Sequence, residues 1–90
     1  MADQVLFRAI NDILIYGFKK RKGYEPFEWY FSDEDNDIME DGSFTFNYVC
    51  ELLNINKVKS RLYLNWKLDL GKKKISENEY STFLGMCSNE

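Results

Sequence analysis

The residues with most to offer chemically lie between Lys57 and Lys74, where Lys57, Lys59, Arg61, Lys67, Lys72, Lys73 and Lys74 stand against a single acid, Asp69. Cations at that density neutralise phosphates. A helix opening Lys57-Val58-Lys59-Ser60-Arg61 would bring Lys57, Lys59, Ser60 and Arg61, with Lys67 further along, to the backbone and base edges of duplex DNA. A second constellation is acidic: Asp33, Glu34, Asp35, Asp37, Glu40 and Asp41 fall in one run. Asp33, Asp35 and Asp37 match the first three ligand positions of an EF-hand calcium loop. Ile38, however, stands where that loop needs glycine, and Phe44 where it needs its bidentate glutamate. Residues 32–42 are therefore expected to form a solvated acidic loop.

Catalysis is poorly supplied. The chain has no His, which removes the commonest general base and the commonest metal ligand. Cys50 has no partner base, the five glycines make no phosphate loop, and the paired carboxylates imply no apolar pocket to raise a pKa. The expectation is a non-enzyme with no cofactor, no metal site and no small-molecule substrate.

These groups need elements to hold them. Leu6, Ile10, Ile13, Leu14 and Gly17 recur at helical spacing, which predicts a first helix. Asp3 would cap it, and Lys19-Lys20-Arg21-Lys22 with Gly23 would close it. Tyr24 to Phe31 places Pro26 just inside a short second helix whose aromatic rings must dock on the first. Ser43 is expected to cap a third helix through Phe46, Val49, Cys50, Leu52 and Leu53. After a break of two or three residues, Asn56 caps a fourth, and the pair has the outline of a helix-turn-helix.

Residues 62–70 pose a conflict. Leu62, Leu64, Trp66, Leu68 and Leu70 alternate with polar residues as in a strand, but the run lacks Val, Ile and Thr and has no matching strand nearby. It is assigned as helix. Val58, Leu62, Trp66 and Leu70 then form one row and Leu64 and Leu68 another, so the helix should be covered on two sides. Gly71 and Lys72-Lys73-Lys74 would end it. Ser76-Glu77-Asn78-Glu79 is a capping box that starts a short last helix over 76–85, and residues 86–90 should fray.

The predicted fold class is all-α: one domain over 1–90, a small orthogonal helical bundle of four or five helices with a helix-turn-helix-like pair. Its expected core is Leu6, Ile10, Ile13, Leu14, Trp29, Val49, Leu53, Leu62 and Trp66. Ninety residues with 44% hydrophobic and 17% aromatic content suffice for one modest core and exclude a disordered chain. A net charge of -3 removes any whole-molecule attraction to nucleic acid, so binding must be local. The first residues have no basic stretch before their apolar run and no span is long enough for a membrane, so a cytoplasmic protein is expected. There Cys50 would be a buried hydrophobe and Cys87 a loose thiol.

Glu25-Pro26-Phe27-Glu28-Trp29-Tyr30, the acidic stretch from Ser32, and Ser43-Phe44-Thr45-Phe46-Asn47-Tyr48-Val49-Cys50-Glu51-Leu52-Leu53 resemble a family of small uncharacterised bacterial proteins. The likeness covers roughly residues 5 to 67, with Asn54 where that family carries glycine. It implies a bacterial or phage-type intracellular protein with a helix-turn-helix-like segment, and it carries no activity. Two functions follow as expectations. One is a DNA-binding transcription regulator, working as a dimer because so few bases bind weakly alone. The other is a protein-interaction adaptor that uses Trp29 and Tyr30 beside Asp33 and Asp35. Oligomers held by Leu64 and Leu68 would point to a part of a larger assembly.

Overall fold

The first helix stops earlier than its basic flank suggests, because Gly17 adopts φ +66° and donates its N–H to the Ile13 carbonyl at 2.8 Å. A computed structural model describes residues 2–17, 21–32, 36–40 and 42–89; the side chains of residues 2, 3 and 21–25 lie outside that description. Within it the order is α1 (Ala2–Tyr16), α2 (Arg21–Tyr30), α3 (Phe46–Leu53), α4 (Lys57–Asp69) and α5 (Glu77–Met86). The fold is all-α, as the spacing predicted, and residues 62–70 are helical to Asp69.

Several boundaries need correction. With α1 closed at Gly17, Arg21 and Gly23 belong to α2 instead of ending α1, and Pro26 stands at its sixth position, well inside it. Thr45, not Ser43, caps α3, and its hydroxyl accepts from the Tyr48 N–H at 3.2 Å. The reason is a hairpin. Ile38 and Phe44 form an antiparallel bridge, with Met39 N–H to Ser43 carbonyl at 2.7 Å and Thr45 N–H to Asp37 carbonyl at 3.0 Å. A chain held extended to Phe44 cannot coil before Thr45. Of the segment 32–42, residues 36–40 and 42 are exposed as expected, Ser32 is half-buried, and 33–35 and 41 lie outside the described residues.

The break between α3 and α4 is a Schellman turn built on Asn54, which takes φ +55°. Asn54 N–H bonds the Glu51 carbonyl at 3.2 Å and Ile55 N–H the Cys50 carbonyl at 3.0 Å. Asn56 then caps α4, its Oδ1 accepting from Lys59 N–H at 3.0 Å. The same turn recurs at the far end of α4. Gly71, at φ +74°, bonds the Leu68 carbonyl and Lys72 bonds that of Lys67. The predicted capping box at α5 is present in both directions between Ser76 and Glu79.

The chain past α5 is not frayed over its described residues. Asn56 N–H bonds the Cys87 carbonyl at 2.7 Å, Ser88 forms a bridge with Ile55, and Asn89 N–H bonds the Asn54 carbonyl at 3.2 Å. Cys87 is thereby 2% exposed and not a loose thiol.

The core gathers Leu6, Ile10, Ile13 and Leu14 of α1, Tyr30 of α2, Phe46, Val49 and Cys50 of α3, Ile55, Tyr63 and Leu64, then Ile75, Tyr80, Phe83 and Cys87. Trp29 and Leu53 pack at its edge. Leu62 and Trp66, both expected inside, are outside it at 63% and 49% exposure. α4 meets the bundle through Ser60, Tyr63, Leu64 and Lys67, which lie on one face, and among the described residues nothing covers the opposite one.

Candidate functional site

The residues assigned to DNA separate into two groups. Ser60 is fully buried; its hydroxyl donates to the Lys57 carbonyl at 2.8 Å and its carbonyl accepts from the Tyr30 hydroxyl at 3.1 Å. Arg61 turns back onto α2. Its Nε donates to the Tyr30 carbonyl at 3.2 Å and Nη2 to the Ser32 carbonyl at 2.8 Å, while its guanidinium lies 5.8 Å from the Phe31 ring and 5.2 Å from that of Phe46. Lys67 is 8% exposed, with Nζ 3.5 Å from Glu79 and 4.5 Å from the Trp66 ring centre. These three side chains are committed within the fold. Lys59 is exposed and donates to the Ser88 carbonyl at 3.3 Å, and Lys57 is half-buried. Of the basic side chains on α4 and just beyond it, those open to a partner are thus Lys57 and Lys59 at its start and Lys72, Lys73 and Lys74 past its end.

The residues assigned to a protein partner also divide. Tyr30 is fully buried, and Trp29 is half-buried with its indole N–H donating to the Phe44 carbonyl at 2.8 Å. Leu64 is fully buried in its own bundle and Leu68 packs against the same core, so neither is placed to hold a second copy. Asp33 and Asp35 lie outside the described residues.

The surface that sequence reasoning missed is the outer face of α4. Val58 is 64% exposed, Leu62 63%, Trp66 49% and Leu70, which caps the helix, 58%. These four stand one turn apart and make a ridge about 18 Å long at 1.5 Å per residue. α4 has two apolar rows: Leu64 and Leu68 pack inward beside Ser60, Tyr63 and Lys67, while the longer row faces solvent. Ridge and fold are coupled through Lys67, which lies over the Trp66 ring and pairs with Glu79 of α5. The Trp66 ring also meets Tyr63 edge-on at 5.9 Å between centres. The indole is fixed from two sides and presented outward.

Burial sets the electrostatics beneath this face. It raises the Tyr63 hydroxyl pKa, with the Glu79 carboxylate adding to the rise. Burial opposes the charge of Glu79, but the Ser76 N–H, Lys72 and Lys67 together hold its carboxyl below the usual 4.5. Burial also pushes Cys50 up to about 12 and Cys87 to about 11 against the nearby cations Arg61 and Lys59. Both thiols are thus protonated at neutral pH.

Among the described residues, no three His, Cys, Asp or Glu side chains converge as for a metal, and no buried side-chain polar atom lacks a partner. Among them too, no helix is long and apolar enough to cross a membrane. An open groove beside α1, edged by Val5, Arg8, Asp12, Trp29 and Phe44, has no such buried polar group aimed into it. Comparison with protein-family models, with curated proteins and with solved structures returns no match.

Proposed function

We propose that the chain is a non-catalytic protein-interaction module that docks its partner on the outer face of α4. The observation that carries this reading is the solvent-facing ridge Val58, Leu62, Trp66, Leu70. Single exposed apolar residues are ordinary, but a contiguous row of four on a helix whose other face is packed is the pattern of a binding surface. Roughly half of each side chain remains to be buried, worth about 1 kcal/mol apiece. Trp66, held by Lys67 and Tyr63, is the kind of rigid aromatic that anchors such contacts at little further ordering cost.

Duplex DNA is the second reading. It is favoured by the helix-turn-helix-like order of α3 and α4 and by the exposed lysines at 59, 72, 73 and 74. A photo-crosslinking residue in place of Leu62 separates the two. Adducts formed in cells are expected to be with polypeptide and to survive nuclease. Adducts that nuclease removes, together with retention of random duplex DNA at low salt, refute docking of protein on this face.

A further inference from the structure

We infer that the occupant of the α4 ridge is an acidic amphipathic helix of another protein, a partner class that deepens the interaction reading above and rests on it. Three observations lead there. First, the ridge has helical geometry of its own: Val58, Leu62, Trp66 and Leu70 follow an i+4 row. Such rows take the i+3 rows of a second helix between them at a crossing of about +20°, which keeps the two helices together along the whole ridge. A ridge one side chain wide and about 18 Å long matches three to four turns of a partner helix with anchors at i, i+4 and i+7.

Second, the ridge runs between cations. Lys59 is exposed beside its start, with Lys57 half-buried next to it, and Lys72, Lys73 and Lys74 are exposed beyond its end. Against them, among the described residues, stand Asp69 on the same face, Glu79, which lies 3.9 Å from Lys72, and Glu77, which borders a pocket with Lys74. The surplus is positive on a molecule whose net charge is -3, so this face and not the whole chain selects an anionic partner.

Third, the charge pattern disfavours a second copy. A two-fold axis can pair two α4 helices parallel, placing start against start, or antiparallel, placing start against end. Both ends carry lysines, so either arrangement sets like charges together. A nucleic acid backbone satisfies the lysines but leaves Leu62 and Trp66 against phosphate and water. An acidic amphipathic helix satisfies both.

The test uses three synthetic helical peptides with one Leu/Ile face and glutamate, glutamine or lysine on the flanks, titrated against the intact chain by fluorescence anisotropy at low salt. The glutamate peptide is expected to bind about tenfold more tightly than the glutamine peptide, which exceeds the lysine peptide. Raising the salt should close these gaps. Trp66→Ser should weaken glutamate-peptide binding about thirtyfold, the effect of removing an anchor, and Leu62→Ser about fivefold, the effect of losing its remaining burial. The Leu62→Ser melting temperature should remain near wild type, since that side chain points outward, whereas Trp66→Ser also gives up the Tyr63 and Lys67 contacts and should melt lower, so Leu62→Ser is the variant that reads binding alone. Lys59→Glu with Lys73→Glu and Lys74→Glu turns the local surplus negative and should reverse the charge preference, so that the lysine peptide binds best, while leaving glutamine-peptide binding in place.

Equal binding of all three peptides, lost in Trp66→Ser, would overturn the acidic partner and leave the docking face standing. No binding of any peptide at millimolar concentration would overturn both. So would stronger binding of the chain to phosphatidylserine vesicles than to the glutamate peptide, because the ridge would then be a lipid contact. Concentration-dependent dimerisation lost in Leu62→Ser would replace the inferred partner by a second copy.

Discussion

Arg61 is the residue on which sequence and structure diverge most, and replacing it measures the difference. In Arg61→Ala the carbonyls of Tyr30 and Ser32, at the end of α2, lose the charged donor that now meets them at 3.2 and 2.8 Å. Hydrogen bonds to a charged group contribute about 1.5 to 3 kcal/mol each, and the side chain is only half-buried, so the lower figure applies to both. The guanidinium near Phe31 and Phe46 adds about 0.5 kcal/mol. The expected loss is about 3.5 kcal/mol, a large share of the 5 to 15 kcal/mol typical of a small domain. In thermal unfolding followed at 222 nm this corresponds to a fall of about 14 to 28 °C. Arg61→Lys keeps the charge but not the two-pronged reach and should lose about half as much. A DNA-facing arginine behaves oppositely: its removal leaves melting unchanged and abolishes affinity. A melting temperature for Arg61→Ala within about 3 °C of wild type, on the same scale, would refute the assignment of this side chain to the interior.

Three further outcomes follow from the caps and the titrating groups. Asn54→Ala, at a left-handed backbone position, should destabilise the fold by about 1 kcal/mol in urea titration, whereas Asn54→Gly should be nearly neutral. Cys50 and Cys87, pushed up to about 12 and about 11 by burial, should resist alkylation at pH 8 until urea unfolds the chain; rapid labelling of the native protein would contradict their placement. Because both thiols ordinarily titrate near 9.0, the unfolded state gives up its protons first. Their stabilising contribution is whole below pH 9 and declines toward pH 11 to 12. Glu79 works the other way. Its folded carboxyl lies below the ordinary 4.5, so its contribution is present above that pH and is lost as pH falls through the lowered value. Glu79→Gln should remove that acid dependence, read as the difference between the two proteins' melting curves from pH 6 to 3.

Local signals carried most of the fold. Asn56 and the Ser76/Glu79 box act only on neighbours within one turn, and both lie where the sequence places them. The aliphatic spacing of α1 likewise survives as a buried stripe from Leu6 to Leu14. Errors appeared wherever a distant segment decided a local end. Ser43 is as good a cap as Thr45 by type, but the bridge from Ile38 to Phe44 denies it the role. Cys87 lies near the end of the chain, yet its carbonyl is the acceptor for Asn56 N–H. Hydrogen bonds spanning 31 residues leave no periodicity to detect.

The site was illegible for a sharper reason. Pattern reading assigns the apolar rows of a helix to the core and the charged residues to a partner; on α4 only the row of Leu64 and Leu68 lies inside, while Val58, Leu62, Trp66 and Leu70 face out and Arg61 and Lys67 turn in. Tyr30 needs close approach, and the fully buried Ser60, small and bonded to its own turn, permits it. Arg61 and Lys67 can then enter because carbonyls, rings and Glu79 satisfy them. With those three and Tyr63 on the inner stripe, helical geometry leaves Val58, Leu62, Trp66 and Leu70 no direction but outward. The exposed ridge is thus a consequence of how the polar residues were paired within the fold. Its signal in the sequence was the very conflict that residues 62–70 presented: too many large apolar side chains on too many sides for one helix at the edge of a 90-residue bundle to bury.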